Sequence, residues 1–220
     1  MKFFSEIIGA ACSAVGSVCS AVGGAIAAGI GALATAIAPY LGPVANIVLA
    51  IANVLGIFKE NERPEDLGQA MEQMDKKPED FDSINEYIDY LREGIRSGEV
   101  KLNDNLSDIQ KAAYTATGAA LGIKAIDEKY QLQTSDEFWG QMGKKFEEGK
   151  ITPIEITKIL ETSSKNSVSA ENVTNYINGD KMTNGQKASG VSDAIEGGLK
   201  AANPSMSDEE ITSRFNKLIE

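Results

Sequence analysis

Histidine is absent from this chain of 220 residues. Its absence excludes catalytic sites in which histidine activates serine or cysteine, and metal sites with histidine ligands. No glycine-rich loop precedes a Lys-Ser or Lys-Thr pair, so a P-loop is excluded as well. Neighbouring carboxylates such as Glu65-Asp66 and Glu79-Asp80 stand at predicted helix starts, where acidic side chains stabilise the helix dipole. We therefore expect neither an enzyme nor a cofactor or metal site.

Cysteine is nearly absent too, since the sequence has only 2, Cys12 and Cys19. On one helix they would share a face but lie about 10 Å apart along the axis. That separation is too large for a disulfide. We interpret both as small apolar helix residues, and they leave the redox compartment of the protein open.

Charge is absent from one long stretch, because the 52 residues Ile7–Phe58 contain no Asp, Glu, Lys or Arg. Lys2 and Glu6 cancel, so the net charge of −11 belongs to residues 59–220. An acidic body repels the phosphates of nucleic acids and of anionic lipids. We expect no nucleic-acid partner, and any contact with a lipid bilayer must come from the uncharged stretch.

Small side chains recur along the uncharged stretch at helical spacing, which predicts a face where two helices can approach closely. A break in the helix is expected at Gly23-Gly24. Two asparagines lie seven residues apart on one face of the second arm, where they could hydrogen bond across helices or line a water-filled path. The predicted membrane-inserting and helix-packing residues are Gly16, Ser20, Gly24, Ala28, Ala32, Ala36, Asn46 and Asn53.

A tight turn is predicted in the middle of the stretch, at Pro39, Gly42 and Pro43, because proline cannot continue a helix. The arms on either side, residues 25–38 and 44–58, then form an Ala/Gly-rich hydrophobic helical hairpin. Each arm measures roughly 21–23 Å by the helical rise, which is short of the roughly 30 Å of a bilayer core. We therefore expect a segment that can be buried within the protein but is more stable when inserted in lipid or packed in an oligomer.

The remainder of the chain carries repeated helix-start signals and no alternating runs of β-branched residues. Capping boxes are predicted at Thr134 with Glu137 and at Thr152 with Glu155. The single tryptophan, Trp139, stands at helical spacing among other aromatic residues, and we interpret it as part of the core.

These signals predict an all-α multi-helix bundle. Residues 1–58 would form the hydrophobic, membrane-inserting helical hairpin, and residues 59–220 an acidic body of about seven short helices. A cleaved secretory signal peptide is not expected, because Glu6 interrupts the N-terminus and apolar character continues far beyond any cleavage point.

An uncharged helical hairpin on a water-compatible helical chain is similar to the pore-forming colicins, although there the hairpin lies in the C-terminal part. The Ala/Gly-rich N-terminus, on a small acidic chain without catalytic residues, more closely resembles the small pore-forming effectors of bacterial type VI secretion. The resemblance rests on Ile7–Phe58 alone. It implies delivery through a secretion tube with a carrier or chaperone, depolarisation of a competitor's inner membrane, and a dedicated immunity protein.

Three functional hypotheses result. The favoured one is a membrane-inserting, ion-conducting pore-former that is soluble or carrier-bound in the producing cell, secreted without a cleaved signal peptide, and self-associated in the target-cell membrane. The second is a membrane-anchored adaptor whose acidic helical body recruits a protein partner. The third is a soluble all-α interaction protein whose apolar helices are its core.

Overall fold

The computed structural model describes residues 9–17 and 23–220, and within them the predicted all-α fold is confirmed, with no β-strand. Residues 9–17 are helical. Single turns of 3-10 helix stand at Ala38–Tyr40 and Pro78–Asp80. The α-helices from residue 25 onwards are α1 Ala25–Ile37, α2 Leu41–Val54, α3 Pro64–Gln73, α4 Ile84–Ser97, α5 Asp108–Tyr130, α6 Asp136–Glu147, α7 Pro153–Lys165, α8 Ala170–Asn178, α9 Ala188–Ala202 and α10 Asp208–Ile219.

The chain divides into two compact units, Met1–Glu128 and Lys129–Glu220. This boundary differs from the one predicted between residues 58 and 59. The reason is that the uncharged helices share a core with the helices that follow them. Val48 of α2 and the ring of Phe58 pack directly over Gly122 of α5, where a Cβ atom would lie 3.1 Å from Val48 and 2.9 Å from Phe58.

A close crossing of two backbones organises the first unit. Gly68 of α3 lies against the backbone carbonyl of Tyr114, and Gly118 of α5 lies against the backbone carbonyl of Pro64. Neither position has room for a Cβ atom, so α3 and α5 touch without side chains between them. Ala113 and Ala116, on the same helix α5, are also buried.

Serine and threonine side chains start most helices of the second unit. The predicted capping box of Thr152 with Glu155 is confirmed, since both of its hydrogen bonds are present. The prediction of Thr134 as an N-cap is wrong, because Ser135 accepts from the Phe138 amide instead. The Thr134 hydroxyl already accepts a 2.6 Å hydrogen bond from the indole N–H of Trp139.

The core of the second unit forms around Trp139, which is fully buried as predicted and packs edge-on against Phe138 with ring centroids 5.3 Å apart. Helices α7 and α9 cross closely here. The Thr162 hydroxyl of α7 donates a 2.7 Å hydrogen bond to the Ala194 carbonyl of α9.

Candidate functional site

Within the uncharged stretch, the residues from Ala25 to Val54 form one helical run, interrupted by a single 3-10 turn. The structure therefore lacks the tight turn predicted at Pro39, Gly42 and Pro43. Pro39 stands at the start of the 3-10 turn, and Pro43 is the third residue of α2. The first amides of a helix have no acceptor within it, so proline is tolerated there and the helix continues.

Gly23 and Gly24, where a break was predicted, lie outside any helix and directly precede α1. These residues have φ angles of 69° and 102°, which glycine adopts without strain. The Cys12 thiol lies 3.8 Å from the Thr35 carbonyl oxygen near the end of α1, and Gly16 lines a groove whose walls include Gly24 and Ala28 near its start. Residues 9–17 thus run antiparallel to α1.

The two sides of α1 and α2 differ in side-chain size. The predicted small-residue face is largely at the surface, since Gly16, Gly24, Ala28 and Ala32 are exposed and Ala36 is half-buried. Ser20 lies outside the described residues. The bulky side chains point inward and have no exposed area: Ile30, Ile37, Val44, Ile47, Val48 and Ile51.

A shallow groove of about 650 Å³ follows the small-residue face. No charged side chain contributes to its lining among the described residues. The groove is lined by Gly16, Gly23, Gly24, Ala28, Gly31, Ala32 and Thr35. A Cβ atom on Gly16 would meet no described atom within 4 Å. The small-residue face therefore leaves an open groove beside residues 9–17, while the bulky residues of α1 fill the core.

Asn46 and Asn53 are both exposed on α2. Asn53 also lines a separate open cleft, with Phe58, Glu62 and Arg63 among its other walls. Three large apolar side chains near the ends of the two helices are also solvent-exposed, namely Ile26 (39%), Tyr40 (53%) and Val54 (52%). The outer surface of the stretch is therefore uncharged and partly apolar.

At the start of α1, the Glu79 carboxylate accepts a hydrogen bond from the Ile26 amide. Gly24, the N-cap of α1, has no side chain to do this. Lys77 approaches the same corner, with its Nζ atom 3.3 Å from the place a Cβ on Gly23 would occupy. Glu79 lies in the 3-10 turn Pro78–Asp80, which packs against α1.

At the C-terminal end of the stretch, Arg92 of α4 donates a 3.1 Å hydrogen bond to the Ile57 carbonyl. The same guanidinium binds Glu62 through two hydrogen bonds of 2.8 and 2.7 Å. The hydrogen bond to Glu62 raises the pKa of Arg92 against the lowering effect of burial. Through these hydrogen bonds Arg92 fixes the chain where the uncharged stretch ends.

Sequence reasoning missed Glu79, Glu62 and Arg92 as partners of the stretch. The sequence indicates Glu79 as an acid favouring its own helix start, and no spacing indicates that it caps a helix 53 residues away. The described residues contain no group of three His, Cys, Asp or Glu side chains that could hold a metal ion.

By length and composition, Ala25–Val54 could cross a membrane, a property that core helices of soluble proteins and signal sequences share. Comparison of the chain with protein-family models, curated proteins and solved structures gives no match.

The placement of residues 9–17 beside α1 predicts a specific cross-link. In a Cys19→Ser background, Thr35→Cys is expected to be joined to Cys12 by a short bis-maleimide, which forms a thioether with each thiol, because the native thiol lies beside residue 35. Ala28→Cys is the matched control, since seven residues along the same helix displace it by about 10 Å. Peptide mapping by mass spectrometry reads out the linkage. Equal cross-linking at both positions would contradict the antiparallel placement.

Proposed function

We propose that this protein is a membrane-inserting effector that forms an ion-conducting pore and depolarises a target bacterial membrane. The solution form stores the uncharged stretch in the first unit, and the stretch inserts when the protein meets a bilayer. A helix can make this transfer because it satisfies its own backbone hydrogen bonds in either environment.

The main support is the division of α1 and α2 into a bulky inner face and a small, uncharged outer face. The inner isoleucines and valines are hidden in solution, whereas Ala28 and Ala32 are presented to solvent. Apolar burial is worth roughly 25 cal/mol per Å² in either setting. The same stretch can therefore be stable in the protein core and gain further burial in lipid.

Length is a second support. A helix of 30 residues at 1.5 Å per residue measures about 45 Å, and a bilayer core requires roughly 30 Å. The run from Ala25 to Val54, with α1 and α2 joined by a single 3-10 turn, meets this requirement. Each 14- or 15-residue arm of the expected hairpin would not. In lipid, the small-residue face would be free to pack against other copies.

The remaining parts of the proposal rest on the resemblance of Ile7–Phe58 to type VI secretion effectors. Delivery would occur without a cleaved signal peptide, with a carrier or chaperone in the producing cell. A dedicated immunity protein would protect that cell. The acidic body, with its net charge of −11, would stay outside the bilayer.

The test is dye release and membrane potential measured on vesicles mixed with the purified full chain. The wild type is expected to release dye and to conduct ions in planar bilayers. The double variant Thr35→Glu, Gly42→Glu places two charges at exposed positions, which the solution fold tolerates. Both positions lie near the middle of Ala25–Val54. A charge there costs at least roughly 2.5–3.5 kcal/mol in a bilayer, so release is expected to fall at least a hundredfold.

A matched control carries the same two charges elsewhere. Ala188 and Ser189 are exposed at the start of α9, so Ala188→Glu, Ser189→Glu should release dye like the wild type. The proposal fails if the wild type neither releases dye nor conducts. It also fails if both double variants lose activity equally, because the effect would then come from net charge.

A soluble all-α interaction protein is the second candidate. The observation that favours it is the packing of Val48 and Phe58 over Gly122, which makes the stretch an ordinary part of the core. This candidate predicts that the wild type stays in the unbound fraction when vesicles are floated on a density gradient. An anchored adaptor would instead float with the vesicles and remain silent in planar bilayers.

A further inference from the structure

Two charged side chains from residues 59–128 hydrogen bond to the backbone of the uncharged stretch, one at the start of α1 and one just after the end of α2. Glu79 binds the amide of Ile26, and Arg92 binds the carbonyl of Ile57. The interior of the stretch is held by apolar packing. The two charged contacts therefore stand at the points from which the stretch would have to separate from the rest of the unit.

Glu79 caps the N-terminus of α1, where the neighbouring residues supply no side-chain hydrogen-bond acceptor. The first amides of an α-helix have no acceptor within the helix, and a side-chain oxygen is needed to satisfy them. Gly24 supplies none, so the acceptor comes from a distant residue. The negative carboxylate also opposes the positive end of the helix dipole. This contact exists only while α1 lies against Pro78–Asp80.

Arg92 performs the corresponding role at the other end. The amides of Ile57 and Phe58 both bind the Ala52 carbonyl, at 2.8 and 3.2 Å, which closes the end of α2. This geometry directs the Ile57 carbonyl toward Arg92. Glu62, which accepts a 3.0 Å hydrogen bond from the Lys59 amide, holds the guanidinium in place. Asp89, one turn before Arg92 on α4, pairs with it as well.

We infer that Glu79 and Arg92 form a two-point clasp that retains the uncharged stretch on residues 59–128, and that opening both contacts is the conformational step that frees it. The inference rests on the proposed function for what the freed stretch does next. The clasp itself is a property of the solution form and can be measured without lipid.

Hydrogen–deuterium exchange of the full chain in solution tests the clasp. Glu79→Ala is expected to raise the exchange rate of the amides at residues 26–28 about tenfold, as loss of an N-cap does. Arg92→Lys keeps a positive charge near Glu62 but loses the planar fork, and should raise exchange at residues 55–58 several-fold. The double variant should exchange faster along all of Ala25–Val54 than either single variant does.

Matched controls are available on the same unit. Glu99→Ala removes an exposed carboxylate, and Arg96→Ala removes an exposed guanidinium one turn after Arg92 that pairs with Glu93 within the helix. Both should leave exchange along the stretch within twofold of the wild type. Circular dichroism checks folding, and Glu79→Gln, which keeps an acceptor oxygen, provides a milder variant if Glu79→Ala unfolds.

The clasp is overturned if Glu79→Ala and Arg92→Lys exchange like the controls. Vesicle release, measured on the same proteins, tests the proposed function separately. Faster exchange in the double variant without any release by the wild type supports the clasp and rejects the pore. Release by the wild type with unchanged exchange in the double variant supports the pore and rejects the clasp. If both are right, the double variant releases dye faster than the wild type.

Discussion

Arg214→Ala is expected to lower the free energy of unfolding of the second unit by about 3 kcal/mol, because it leaves a buried carboxylate without its counter-ion. Glu155 is 1% exposed. Arg214 binds it through two hydrogen bonds of 2.6 and 2.7 Å. Asn203 adds a 3.0 Å hydrogen bond, and the amide and hydroxyl of Thr152 add two more at 2.8 and 2.9 Å. One carboxylate thus joins the start of α7, the end of α9 and the middle of α10.

Urea unfolding followed by tryptophan fluorescence measures this change. Trp139 is the 1 tryptophan of the chain and lies buried in the same unit, so its emission reports on that unit. Lys200→Ala is the matched control, since it breaks an exposed ion pair between Lys200 and Asp208, which also links α9 to α10. Exposed pairs contribute little, so this variant should unfold like the wild type. Equal losses in the two variants would contradict the argument.

The same carboxylate makes the second unit sensitive to acid. Burial alone would raise the pKa of Glu155, but the hydrogen bonds from Arg214, Thr152 and Asn203 outweigh it and lower the pKa below its usual value. A carboxyl group with a lowered folded-state pKa stabilises the fold above its unfolded pKa and loses that contribution as the pH falls through the folded value. Stability should therefore decline in acid, and the decline should be shallower in Arg214→Ala.

The sequence correctly predicted the features of the fold that depend only on interactions between neighbouring residues. The capping box at Thr152 and Glu155, the buried Trp139 and the chain break at Gly23-Gly24 each follow from a few neighbouring residues. Thr134 failed as a predicted N-cap because a tertiary partner, the indole of Trp139, took its hydroxyl. The sequence contains the donor and the acceptor but gives no sign that they meet.

The candidate site was predicted in composition but not in geometry. The uncharged stretch and its small-residue face can be identified from the positions of uncharged and small residues in the sequence. The turn expected at Pro39 and Pro43 is not observed, because a proline at a helix start and one that ends a helix look alike in sequence. Glu79 and Arg92 reach the stretch through tertiary packing of residues 59–128, which no spacing within residues 7–58 encodes.

Two adjacent glycines of α9 are expected to respond to alanine with opposite signs. A Cβ atom on Gly198 would lie 2.6 Å from the Cα and 2.7 Å from the amide nitrogen of Ile159 in α7. Helices α7 and α9 would have to separate, and Gly198→Ala should destabilise the second unit by about 1–3 kcal/mol. The 2.7 Å hydrogen bond between Thr162 and Ala194, made at the same crossing, would be strained by that separation.

Gly197→Ala is the matched variant, because it makes the same chemical change one residue earlier in the helix. Its Cβ atom would meet only the Thr162 methyl group, at an ordinary 3.9 Å. Alanine favours the helical conformation over glycine by roughly 0.5–1 kcal/mol, so Gly197→Ala should stabilise the unit by up to that amount. Urea unfolding monitored at Trp139 compares the two variants directly. Stabilisation by both would mean that α7 and α9 are farther apart than their backbones indicate, and destabilisation by both would mean that helix propensity does not act at this position.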